Sequence, residues 1–160
     1  MRVVLVVAVA FSPSTIVAQA TTPVIKSARS GAWSTPATWE GGRLPPAGAI
    51  VLIRAGHAVV YDRDSAEAIR SLHVSGVLTF AADRDTRLDV GLVRIQAGDT
   101  VDEEGFDCSA HVKPDDSRPR PEFLVGAPDT PILAGKTARI RLVYFDGMDR
   151  KSCPAIVCCG

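Results

Sequence analysis

Apolar residues in this chain come in short runs bounded by Gly, Pro, Asp and Ser, and almost nowhere at helical spacing. Ile50 to Ile53 is a continuous apolar run, the pattern of a strand covered on both faces. Ala58 to Tyr61 follows it after Ala55-Gly56, a pair suited to a tight connection. Leu72, Val74, Leu78 and Phe80 alternate with polar or small neighbours. So do Val93 and Ile95 around Arg94, and Ala138, Ile140 and Leu142 around Arg139 and Arg141. Period-two alternation predicts half-buried strands, with His73 turned to solvent between Leu72 and Val74. Only Asp64 to Arg70 has the makings of a helical turn. The predicted class is all-β.

Leu72-His73-Val74 with Gly76 recurs sixteen residues later as Leu88-Asp89-Val90 with Gly91. Strand-turn units of that length suit successive coils of a β-solenoid, in which each rung pairs with the next. A β-sandwich is the competing architecture, because it also needs short strands and glycine-rich turns. Solenoid-like stacking is the favoured expectation.

The first twenty residues read differently. Arg2 supplies a positive start, Val3 to Phe11 an apolar core, and Ala18-Gln19-Ala20 a small-x-small cleavage site, so residues 1–20 are expected to be a secretory signal peptide. An apolar core this short falls well below the ~20 residues of a membrane-spanning helix, and no later stretch is long and apolar enough to span. The expected product is secreted, extracellular or at the cell surface, with no transmembrane segment after cleavage. Beyond the leader, residues 21–29 form a lead and residues 30–143 one β domain with an acidic loop at 99–121. Residues 144–160 form an irregular cysteine-containing tail.

Charge narrows the partners. The chain carries 18 basic and 18 acidic residues, a formal balance of zero. Neutrality offers no long-range attraction to nucleic acid or an anionic membrane, so neither is an expected partner. Cys108, Cys153, Cys158 and Cys159 are disulfide candidates in an oxidising destination. Cys158 and Cys159 are adjacent and would bridge each other only with strain, which points to Cys108 with one tail cysteine and leaves Cys153 open. Zinc is the alternative, but the tail lacks a CxxC or a nearby histidine, and no metal or other cofactor is expected.

The segment Gly31-Ala32-Trp33-Ser34-Thr35-Pro36-Ala37-Thr38-Trp39-Glu40-Gly41-Gly42 is the most distinctive. Pro45, Gly48, Ile50 to Ile53, Gly56-His57, Val59 and Asp62 continue it. Together with Gly76-Val77-Leu78, Leu124-Val125-Gly126, Pro131-Ile132, Gly135 and Ala138 to Leu142, it resembles the extracellular eight-glycine ("G-eight") domain. That domain occurs in fibrocystin, in the cell-migration-inducing and transmembrane hyaluronidases, and in bacterial surface proteins. The resemblance spans roughly Ser30 to Leu142. It implies an all-β extracellular domain that commonly leads into a longer β-helix handling polysaccharide. The depolymerising members are much larger than this chain, so no catalytic residue is carried over. An extracellular polysaccharide or matrix glycan is the implied partner.

Candidate chemistry is sparse. Trp33 and Trp39 suit stacking on sugar rings, against the plainer reading that they are hydrophobic lids over an open end of the core. His57, after a turn glycine, is a third ligand-binding candidate, while Gly41, Gly42 and Gly48 fit positive-φ turns. The carboxylates from Asp99 to Asp116 invite a calcium or glycosidase reading, but their spacing does not meet the calcium-loop template, and a solvated acidic loop is favoured. Ser109, His111 and Cys108 lack the rigid third group that a nucleophile needs.

Overall fold

The computed structural model describes residues 22–99, 101 and 120–158. These fold into ten strands: β1 (Val24–Lys26), β2 (Gly31–Ala32), β3 (Ile50–Ile53), β4 (Ala58–Tyr61), β5 (Ile69–Val74), β6 (Val77–Phe80), β7 (Thr86–Ile95), β8 (Glu122–Leu124), β9 (Ala138–Leu142) and β10 (Ala155–Cys158). Every ladder between them is parallel. One sheet runs β1-β3-β5-β7-β10, with β9 also on β7, and the other runs β2-β4-β6-β8. From β1 to β9 successive strands therefore alternate between the sheets, each coil laid on the previous one, and β10 returns to the first sheet. That is a β-solenoid and not a sandwich, whose sheets are antiparallel.

Val51, Leu72 and Val93 are mutually in register, a rung of 21 residues. The sixteen-residue echo is therefore not the structural repeat. Leu88 pairs with Ile140 on a third, shorter face, where the first half of β7 meets β9 and Asp64 bridges to Arg87. Strand β7 serves both faces. Its core-facing residues Val90 and Val93 are three apart, because the chain turns a corner at Gly91. The preceding rung makes the same corner, with the amides of Arg70 and Ser71 both donating to the Ala49 carbonyl at 2.9 and 3.4 Å. Two residues opposing one is a bulge, and it bends the strand.

The interior is a set of columns. Ile25, Val51, Leu72 and Val93 stack in one sheet. Trp33, Tyr61, Phe80 and Phe123 stack along the other, with ring centroids 5.0, 5.2 and 5.6 Å apart. Each buried aromatic ring of this size contributes roughly 2–3 kcal/mol by area, and ring-on-ring geometry adds to it.

The first sheet is covered on both sides. Leu52, Ser71, His73, Leu92 and Arg94 lie on its outer face yet are buried, so Ile50 to Ile53 is buried on both faces as expected. His73 is 2 % exposed, contrary to the solvent-facing expectation from alternation. Part of the cover comes from the tail: Met148 and Cys153 pack on Leu92, with Tyr144 and Phe145 beside them. The tail is thus no irregular appendage, and it ends in β10, paired with β7 from Leu92 to Ile95. Asp64 to Arg70 makes no helical turn. The only helical pieces among the described residues are 3-10 turns at Pro36–Thr38 and Glu40–Gly42. Gly41, Gly42 and Gly48 do adopt positive φ, at 73°, 63° and 74°. No helix among the described residues is long and apolar enough to cross a membrane.

Candidate functional site

Three residues singled out from the sequence sit in the first two coils. Trp33 and Trp39 are 3 % and 1 % exposed, edge to face at 4.7 Å, and Trp39 Nε1 donates to the Trp33 carbonyl at 2.8 Å. Their faces are occupied by each other and by Tyr61, so neither presents a surface to a sugar ring in this structure. Trp39 is pinned by its antiparallel bridge to Ser27, and Thr38 Oγ1 donates to the Ala32 carbonyl. His57 Nδ1 lies 2.8 Å from Ser27 Oγ, which also accepts the Arg54 amide at 2.9 Å. Because Ser27 is fully buried, His57 serves there to tie the first coil to the second. Cys153, in the tail, is buried against Leu92, and Cys158 is an exposed free thiol on β10. Cys108, Cys159, His111 and nearly all of the acidic loop lie outside the described residues.

The site that the fold assembles lies elsewhere, on the third face. Asp64, Asp85, Thr86, Arg87, Thr137 and Arg139 line a cleft of about 330 Å³. Alternation decides which side chains reach it: Leu88 and Ile140 point into the core, so Arg87, Asp89, Arg139 and Arg141 point out. Parallel pairing then puts Arg87 beside Arg139 and Asp89 beside Arg141.

Asp89 organises this surface. Its carboxylate accepts Arg87 Nε and Nη2 at 3.0 and 2.9 Å, and Arg141 Nε and Nη2 at 3.1 and 2.6 Å. Arg87 first, then Arg141, holds the carboxyl below the usual carboxylate range, against the desolvation that opposes it. Asp89 has no exposed surface, but the two guanidinium groups that cover it are themselves 27 % and 57 % exposed. The seal is thin, and water stays within reach of the pair.

Neighbouring groups are also fixed. Asp85 accepts the Thr137 amide and hydroxyl at 2.8 and 2.9 Å, which lowers its pKa. From the interior, Tyr61 Oη donates to the Arg87 carbonyl at 2.6 Å, so the aromatic column steadies the backbone under the cleft. Burial pushes the Tyr61 phenol well above its ordinary value. The Arg139 side chain is exposed, and it makes no hydrogen bond or ion pair among the described residues. Like charges in register across a ladder are destabilising, so packing does not explain Arg139. None of these residues was assigned a function from the sequence. The alternation Arg139-Ile140-Arg141 was the one available signal, and it predicted only an outward face.

Fold and site together define an all-β module, a short parallel solenoid with a polar cleft on its third face. The family model for the G8 domain matches residues 38–155, and the chain belongs to that family. The match runs through the tail and into β10, in keeping with the tail as part of the domain. No curated protein and no solved structure matches the chain. The G8 family is generally extracellular, which supports the same coarse location here.

Proposed function

We propose that this chain is a secreted, carbohydrate-associated module that engages extracellular polysaccharide or matrix glycan through the third-face cleft. The single observation that carries the reading is the lining. Guanidinium donors, carboxylate acceptors and a threonine hydroxyl converge from three rungs on one open cleft. A glycan presents dense hydroxyls that both donate and accept, and such mixed polar surfaces suit it. Secretion rests on the leader at residues 1–20 and on the family's extracellular character. A glycan array with the purified chain tests the proposal: saturable binding to at least one polysaccharide is expected, and uniform failure to bind contradicts it.

A second reading, the N-terminal fragment of a polysaccharide-degrading β-helix enzyme or else a purely structural β-helix cap, is supported by the difference between the ends. The first coil is closed by Trp39, whereas Leu142 and Ile156 on the last strands are 41 % and 46 % exposed. Ile156 continues the column of Val51, Leu72 and Val93. Appending further parallel rungs after β10 tests this reading. A raised melting temperature is expected, and an unchanged one counts against it.

A further inference from the structure

We infer that the open end of the solenoid, formed by β8, β9 and β10, is an interface for a second copy of this chain, joined tail to tail about a two-fold axis with β10 against β10; the inference is independent of the glycan reading. These three strands make up the last coil, and each is hydrogen-bonded on one side only, β8 to β6, and β9 and β10 to β7. Soluble proteins blunt such edges with a charge, a proline or a bulge, yet β10 reads Ala-Ile-Val-Cys and holds none of them. The core columns also run out into solvent here. Ile156 follows Val93 and Leu142 follows Val90, and they are 46 % and 41 % exposed, whereas the opposite end is closed by Trp39 at 1 %.

Charge selects one arrangement out of three. Two copies that meet at this end run in opposite senses, so their strands pair antiparallel, and a two-fold axis through one strand sets the other two against each other. An axis through β9 places Arg139 and Arg141 beside the same arginines of the second copy, which is repulsive. An axis through β8 lays Glu122 against another β8, where no cation stands. An axis through β10 instead sets β8 against β9. Phe123 and Ile140 face the core, so opposing them carries the interior across the junction and brings Glu122 opposite Arg141 of the second copy, twice by symmetry. Glu122 is exposed and makes no side-chain hydrogen bond or ion pair among the described residues, and Arg141 gives only its Nε and Nη2 to Asp89. Arg139 stays outside this pair and remains in the cleft. Sheets about 10 Å apart and strands of about five residues give an end face of roughly 400 Å² per copy, near ~800 Å² in total, so the complex is weak and reversible.

Analytical ultracentrifugation of the purified chain in reductant, over about 1–500 µM, tests the inference. The reductant removes any Cys158 disulfide from the reading. A monomer–dimer equilibrium is expected, and added salt is expected to weaken it several-fold. Ile156→Lys is expected to leave a monomer across the range with an unchanged dichroism spectrum, because the side chain it replaces is exposed. Glu122→Arg is expected to weaken the dimer by about tenfold or more. Val60→Lys, exposed on the second sheet two rungs from the end, is expected to dimerise as wild type does. A wild-type monomer at every concentration overturns the inference, and so does a dimer that Ile156→Lys leaves intact. A dimer that Glu122→Arg leaves at full strength overturns the axis through β10. Assemblies that keep growing with concentration indicate head-to-tail stacking and overturn the two-fold. Loss of the dimer in Val60→Lys moves the contact to the outer face of the second sheet and overturns the site.

Discussion

Inside the solenoid, aromatic rings stack rung upon rung, and on its third face arginines do the same, yet the two columns have opposite energetics. Trp33, Tyr61, Phe80 and Phe123 lose water and gain ring contacts, so every added rung is stabilised by the last. Arg87 and Arg139 bring like charges together on an exposed face, and Asp89, with Asp64 and Asp85 beside it, offsets part of that repulsion. One ladder geometry thus serves two ends. Where stacking lowers the free energy it explains the fold, and where it raises it an external partner is the better explanation.

The largest expected effect breaks the inner column's framework. A Cβ on Gly76 would lie 2.3 Å from the carbonyl oxygens of both Arg54 and His57, which form the same corner one rung earlier. Backbone atoms there cannot yield without separating the rungs. Gly76→Ala is expected to cost more than about 4 kcal/mol and to yield little folded protein, as read by dichroism and denaturant melts. Next comes Phe80→Ala, which opens a cavity between Tyr61 and Phe123 and is expected to cost about 3–5 kcal/mol in the same melts.

Asp89→Asn moves the test to the outer column. It is expected to cost about 2 kcal/mol, below the value for a deep ion pair because Arg87 and Arg141 can rehydrate. Its pH signature has a definite sign. The folded-state pKa of Asp89 is lowered, so its contribution is full above the unfolded value near 4 and is lost as pH falls through the folded value. Wild type is expected to lose stability relative to the variant only in that acid range. The smallest stability effect is expected from Arg139→Gln, within about 0.5 kcal/mol of wild type and towards greater stability, because a like charge is removed.

The strands were legible because each carries its own pattern. Ile50 to Ile53 and the alternation through Leu78 and Phe80 are local facts, and the glycine turns beside them are too. The coil length was not, since the corners at Ser71 and Gly91 break period two and let β7 read as a strand of the wrong repeat. His73 looked solvent-facing because alternation describes one sheet and says nothing of what later covers its outer side. The tail lacks alternation strong enough to announce β10, which forms because β7 offers a ready edge. Least legible was the cleft. Asp64, Arg87 and Arg139 are far apart in sequence and meet only through the register of three rungs.

Thermal melts of wild type and Arg139→Gln, each with and without a polysaccharide that the glycan array identifies, bear most directly on the division between a folding interior and a binding face. Wild type is expected to melt several degrees (~3–6 °C) higher with saturating polymer, whereas the variant starts at or above the wild-type value and gains almost nothing. An equal gain in both proteins, or a variant that melts far below wild type, would contradict that division.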